Sequence, residues 1–213
     1  MLTLYAIAPS LYCAKLRIVL RHKGLEWREI PPPGGYGSAE YRRIVASGNL
    51  PALIDGDLLL ADSEVIAEYL DDTRPSPAML PETPAARAQA RERGRLHDSR
   101  LEPALRRLFP QIHASTRSAQ AVNEGGTALN FHLQVLARHL DDAPLPRDRL
   151  WLGDCGFAIS LEWIRALEPI LGLKIDWPAT VSTYREGLRD HPAVGTELNS
   201  YLPHLRAYLD SAV

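Results

Sequence analysis

The sequence predicts a small mixed α/β domain followed by an all-helical domain. Three observations carry this. Leu2 to Ile30 reads as strand, helix, strand. Asp55-Gly56 sits between two short apolar runs as a hairpin turn. Beyond a proline-rich stretch from Thr73 to Pro84, the chain turns to Ala, Arg and Leu with no β-branched run.

Each element has its own signal. Leu2 to Ala8 alternates apolar and small residues until Pro9 breaks it. From Cys13, Leu16, Ile18, Val19 and Leu20 recur at helical spacing among Lys15, Arg17, Arg21 and Lys23, and Gly24 is a good stop. Leu25 to Ile30 alternates again, so the first unit is β-α-β with a parallel pair. Pro31 to Gly37 is a loop, and Ser38 caps a short helix to Val45. Ala52-Leu53-Ile54 and Leu58-Leu59-Leu60 form the hairpin, and Asp62-Ser63 opens a helix with Val65, Ile66, Tyr69 and Leu70 on one side. The order is β-α-β-α-β-β-α. Further on, one long helix is expected from Ala85 to Phe109, bent or broken at Pro103. Others are expected at Asn123–Leu140, Phe157–Ile170, Val181–Leu188 and Val194–Leu209. Residues 1–74 would form the first domain, 75–84 a linker and 85–213 the second. Pro144-Leu145-Pro146 reads as a further loop.

Composition excludes several classes. Hydrophobic residues at 46% and charged residues at 23% suit a globular chain and not a disordered one. A net charge of −2 provides no global attraction to nucleic acid or anionic lipid. No apolar run reaches the ~18–20 residues of a membrane span, and the start has no basic leader. Two cysteines cannot build a disulfide framework, so both are expected as thiols in a cytoplasmic setting. His97, His113, His132 and His139 lack metal-ligand spacing, so no metal is expected.

Three segments could carry chemistry. Ala8-Pro9-Ser10-Leu11-Tyr12-Cys13 joins a strand to a helix, where backbone N–H groups favour an anion. Ser10 there is either a plain helix cap or a hydrogen-bond donor to a bound thiolate. Gly48-Asn49-Leu50-Pro51 enters a strand through a proline, as an ordinary trans turn or as a cis peptide that offers the Leu50 backbone to an extended ligand. Asp62-Ser63-Glu64 is an acidic helix start, or a site where Ser63 receives a carboxylate and Asp62 an ammonium.

In this order and spacing the segments resemble the glutathione transferase family. The resemblance runs from Ser10, Lys15 and Arg17-Ile18-Val19-Leu20 through Lys23-Gly24-Leu25. It continues through Leu50-Pro51-Ala52-Leu53-Ile54-Asp55-Gly56-Asp57 and Asp62-Ser63-Glu64-Val65-Ile66-Ala67-Glu68-Tyr69-Leu70 to Arg189-Asp190-His191-Pro192-Ala193-Val194. It implies a thioredoxin-like N-terminal domain, an all-α C-terminal domain, glutathione as co-substrate and a homodimer. It puts the catalytic role on Ser10 and glutathione binding on Asn49, Leu50, Pro51, Asp62 and Ser63. A small electrophilic substrate would lie between the domains, near Tyr12, Arg100, Leu101, Ala104, Leu105 and Leu108, with Trp163 or Tyr201. The Arg-rich run Arg95, Arg100, Arg106 and Arg107 admits an acidic substrate.

A serine cannot form a mixed disulfide, so conjugation, isomerisation or peroxide reduction through glutathione's own sulfur remain. Lowering a thiol pKa from about 8.5 by two units takes about 2.7 kcal/mol. A charge-assisted hydrogen bond of about 1.5–3 kcal/mol and a helix N-terminus of about 0.3–1 kcal/mol are of that size. The alternatives are a non-catalytic regulatory protein, as starvation-response relatives are, an isomerase of the maleylacetoacetate type, or a thiol reductase working through Cys13. The resemblance is nearest to tau-, zeta- and omega-like bacterial members. Ser10-Leu11-Tyr12-Cys13 departs from the zeta Ser-Ser-Cys run. Gly153-Asp154-Cys155-Gly156-Phe157-Ala158-Ile159-Ser160 departs from the family's Gly-Asp-x-x-Ser/Thr-x-Ala-Asp box, which leaves Asp154 to cap the buried helix.

Overall fold

The computed structural model describes residues 1–143, 145, 146 and 148–212. Pro144, in the expected loop Pro144–Pro146, lies outside the described residues. Strand β1 (Leu2–Tyr5) runs into helix α1 (Leu11–His22) and strand β2 (Trp27–Ile30). β1 and β2 pair parallel, Leu2 opposite Trp27. After α2 (Ala39–Arg42), β3 (Ala52–Asp55) returns antiparallel to β1, and β4 (Leu58–Ala61) closes the hairpin through Gly56 at φ +60°. The sheet order is β2-β1-β3-β4, and α3 (Ser63–Thr73) completes the thioredoxin-like domain.

β1 is shorter than the expected Leu2–Ala8. Ala6 still bonds Ile30 O, but Ser10 N turns back to Ile7 O at 3.3 Å, which leads the chain straight into α1. That helix is buried on more than its apolar stripe, because it packs both on its own domain and on the helical one. Lys15, Arg17 and Lys23 are therefore buried as well. Each has a partner: Lys15 with Glu64 and Asp98, Arg17 with Glu197 at 2.7 Å, Lys23 with Asp71 at 2.7 Å.

The helical domain holds α4 (Pro84–Leu96), α5 (Glu102–Arg106), α6 (Ala119–Asp142), α7 (Leu152–Leu171), α8 (Ala179–Asp190) and α9 (Pro192–Ala212). The single helix expected from Ala85 to Phe109 is instead divided. A π-helical turn over His97–Leu101 separates α4 from α5. Pro103 falls in the first turn of α5, where a missing N–H leaves no helical bond unmade.

α7 runs through the middle of the domain. It crosses α4 so closely that a Cβ on Gly153 would meet Ala90 O and Gly94 N, both at 2.9 Å. Asp154 caps α7 as expected, one oxygen accepting from the Trp151 N–H at 3.0 Å. The other oxygen accepts from Tyr184 OH at 2.6 Å and pairs with Arg93 at 2.9 Å. Ser160, in the place of the family Asp, meets His97 Nε2 at 2.8 Å. Among the described residues no helix is long and apolar enough to cross a membrane.

The interface between the domains also carries a pair of histidines. His22, in the last turn of α1, packs on His191 between α8 and α9, ring centroids 5.1 Å apart. Burial, then the neighbouring His191 and Lys23, hold the His22 pKa down to about 4, with Asp71 opposing. Burial lowers His191 too. The unfolded chain, with histidine near 6.5, takes up these protons first as pH falls. Stability is therefore expected to be complete above about pH 6.5 and to be lost progressively toward pH 4. Urea midpoints measured across pH 7.5–4.5 check this; His22→Gln should flatten the curve, and an equally steep curve in that variant would count against it.

Candidate active site

A cleft of about 700 Å³ opens between the two domains. Ser10, Tyr12, Asn49, Leu50, Asp62 and Ser63 all line it. Pro51 is buried behind Leu50 and does not.

Ser10 is the N-cap of α1, with φ −72° and ψ 121°. Its Oγ accepts from Cys13 N at 3.3 Å. The cap and the functional readings are therefore compatible, since a hydroxyl accepts with a lone pair and donates with its hydrogen at the same time. On the opposite wall the Leu50-Pro51 peptide is cis. Tyr41 OH donates to Asn49 O at 3.0 Å and holds this loop from below.

Asp62 sits at φ +89°, the one non-glycine residue with positive φ among the described residues. That region costs a non-glycine residue about 1–3 kcal/mol. The carboxylate offsets this, since Oδ1 accepts from Glu64 N at 2.9 Å and from Val65 N at 3.2 Å. The outcome is a carboxylate and the Ser63 hydroxyl presented side by side at the start of α3.

A buried charge cluster joins these walls. Lys15 Nζ, on α1, bonds Glu64 of α3 at 2.7 Å and Asp98 of the π turn at 2.9 Å. Asp98 also bonds His97 Nδ1 at 2.7 Å. Burial pushes Asp98 up, but the His97 hydrogen bond and the Lys15 charge outweigh it and hold the carboxyl well below the usual carboxylate range. The helices bearing Ser10 and Ser63 are thereby tied to the helical domain.

The interdomain wall differs from the expectation. Tyr12 and Trp163 line the cleft, but Arg100, Leu101, Ala104, Leu105 and Leu108 do not. Leu101, Leu105 and Leu108 are fully buried core residues, Ala104 is 3% exposed, and Arg100 points to solvent. The reason is packing: α5 lies on α6 and α7, which draw its leucines into the core, and Arg106 and, in the turn after it, Phe109 are left facing the cleft. Tyr201 stands behind the wall, accepting from Trp163 Nε1 at 2.6 Å and donating to Pro9 O at 3.0 Å. Tyr36, Asp98, Phe109 and Tyr208 were missed as lining residues. Only Phe109 had a usable signal, three residues beyond Arg106 on one helical face.

Residues 4–78 match the family described as "Glutathione S-transferase, N-terminal domain". That match covers the N-terminal domain, and the chain as a whole has the fold of the glutathione S-transferases. It is 33% identical over 139 residues to Glutathione S-transferase Z2 of Arabidopsis thaliana, covering 60% of this chain and 62% of that protein. It is 36% identical over 90 residues to the Stringent starvation protein A homolog of Pasteurella multocida, 42% of each. These matches span less than two thirds of the relatives' lengths. Among solved structures, the Tau class glutathione S-transferase MiGSTU from mango, Mangifera indica, superposes with TM-score 0.80 at 22% identity, covering 98% of both chains.

Within this transferase fold neither cysteine is exposed. Cys13 and Cys155 are both fully buried, and burial pushes both thiols up, away from reactivity. Cys13→Ala is expected to leave any activity with glutathione, conjugation or disulfide reduction, within about twofold of wild type. A paired conjugation and disulfide-reduction assay checks it; loss of reduction alone in the variant would restore the thiol reductase reading.

Proposed function

We propose that this protein is a glutathione-dependent enzyme in which Ser10 holds the bound sulfur as a thiolate for attack on a small electrophile. The observation that carries the reading is the placement of Ser10 in one cleft with Leu50 and with Asp62-Ser63. Each group matches a part of the tripeptide. Asp62 would receive the γ-glutamyl ammonium, and the Ser63 hydroxyl at the α3 start its carboxylate. Leu50 would pair with the cysteinyl backbone, Pro51 shaping the turn and Asn49 lying toward the glycyl arm. The sulfur would then stand at the α1 N-terminus, against the Ser10 hydroxyl.

On this reading residues 1–74 bind glutathione, 75–84 join the halves, and 85–213 supply the electrophile wall. The reaction is transfer to the electrophile, or isomerisation when the adduct releases glutathione again. A homodimer is the expected assembly. A second reading, a regulatory protein without catalysis, is favoured by the likeness to the starvation protein A homolog.

Isothermal calorimetry of glutathione, with S-methylglutathione as control, tests the site. Binding in the micromolar to low-millimolar range, tighter for the free thiol above pH 7, supports the catalytic reading. No heat up to several millimolar would remove it and leave the regulatory one.

A further inference from the structure

Ser10 can act on a bound sulfur only if its hydroxyl is held in one direction. The segment that carries it lies between β1 and α1, and Ala8, Pro9 and Ser10 are each half-buried. The Pro9 ring fixes its φ at about −65°. The peptide that joins Pro9 to Ser10 is planar. One rotation is then left to Pro9, ψ. It sets the direction of the Pro9 carbonyl and of the Ser10 N–Cα bond together.

That rotation is fixed from the other end of the chain. Tyr201, on α9, is 1% exposed and donates its hydroxyl hydrogen to Pro9 O at 3.0 Å. Trp163 Nε1 meets the same hydroxyl oxygen at 2.6 Å. An indole N–H can only donate, so the tyrosine oxygen accepts there and its one hydrogen is left for Pro9. Burial raises the Tyr201 pKa, so that hydrogen stays in place. A second tie comes from the same face of α9. Glu197, four residues before Tyr201, accepts from Arg17 Nε at 2.7 Å and from Arg21 Nε at 3.1 Å. Arg17 Nη2 in turn donates to Ala8 O at 3.2 Å. Two consecutive carbonyls before Ser10 are thus held from α9, one directly and one through Arg17.

We propose that Tyr201 is a positioning residue for the reaction: through Pro9 it aims the Ser10 hydroxyl at the bound sulfur. This rests on the glutathione reading above. The groups that would grip the rest of the tripeptide stand elsewhere, Leu50 just before β3 and Asp62-Ser63 at the start of α3. A change at Tyr201 should therefore alter the state of the sulfur and not the grip on the tripeptide.

The test is read on the bound thiol and needs no electrophile. Glutathione is bound to the full chain, and its thiolate is followed by ultraviolet absorbance as pH is raised, with the S-methylglutathione complex subtracted. Wild type, Tyr201→Phe and Leu209→Ala are compared, and S-methylglutathione is titrated calorimetrically into each. Tyr201→Phe keeps the ring and loses the bond to Pro9. Its thiolate fraction at pH 7 is expected to fall about three- to tenfold, because a misaimed donor forfeits part of its effect. Its affinity for S-methylglutathione is expected to stay within about twofold of wild type. Leu209→Ala removes buried packing about two turns further along α9 and controls for a loosened helix. It should melt lower with an unmoved thiol titration. An unmoved titration in Tyr201→Phe, an equal shift in Leu209→Ala, or loss of S-methylglutathione binding in Tyr201→Phe overturns this inference alone. Wild type that does not bind S-methylglutathione, or whose bound thiol ionises only near the free value of about 8.5, overturns it together with the glutathione reading.

Discussion

Replacing Ser10 with alanine should lower kcat/KM for glutathione-dependent turnover about ten- to a hundredfold at pH 7, the size of a lost charge-assisted hydrogen bond to a thiolate. The pH profile should change with it. Taken for the electrophile with glutathione saturating, the acid limb of kcat/KM reports ionisation of the bound thiol and is expected to move up toward about 8.5 in the variant. Part of any loss will come from the helix, since Ser10 Oγ also caps α1 at Cys13 N, and removing a cap costs about 0.5–2 kcal/mol of stability. Ser10→Thr separates the two effects, because it keeps both the cap oxygen and the donated hydrogen. Near-wild-type rates in the threonine variant and an upward-shifted profile in the alanine variant support a catalytic hydroxyl. An unmoved profile in Ser10→Ala would make Ser10 only a cap.

The largest structural effect is expected at Asp154. It is 3% exposed and joins the α7 cap, Tyr184 of α8 and Arg93 of α4. Asp154→Ala would leave the Arg93 guanidinium, 4% exposed, buried without a counter-charge. Breaking a buried pair from one side costs about 3–5 kcal/mol. For a chain of this length that corresponds to a fall of about 10 °C in melting temperature. The double variant Arg93→Met/Asp154→Leu should recover much of it, because the pair's desolvation is then no longer required. Calorimetric melting of the three proteins decides the matter, and a single variant melting within about 2 °C of wild type would show the cluster to be dispensable.

These expectations draw on different levels of the molecule. The Ser10, Asn49-Leu50 and Asp62-Ser63 segments were legible because each sits where local rules apply: a cap, a turn before a strand, an acidic helix start. Those rules depend on residues a few positions apart, so the sequence carries them on its face. The cap by Asp154 was legible for the same reason, three residues into its helix.

The interdomain wall was not. Its reading placed Arg100, Leu101, Ala104, Leu105 and Leu108 on one long helix, bent or broken at Pro103, with nothing in the sequence to say which face of it meets the first domain. The π turn at His97–Leu101 divides that helix, and its partners are remote. His97 Nε2 meets Ser160 on α7, and Asp98 meets Lys15 on α1. Nothing within the turn itself announces contacts 63 and 83 residues away.

By itself, then, the sequence determined the element order of the first domain, the hairpin, the parallel β-α-β start, and the local identity of the groups at the helix starts, because short-range hydrogen bonding and side-chain periodicity specify them. Tertiary structure decided which of those groups share a cleft, that Lys15, Arg17 and Lys23 are buried and paired, and that Arg106 and Phe109 rather than Leu105 and Leu108 face the ligand space. The physical reason is that burial and helix phase follow from what packs against an element, and those partners lie far away in the chain.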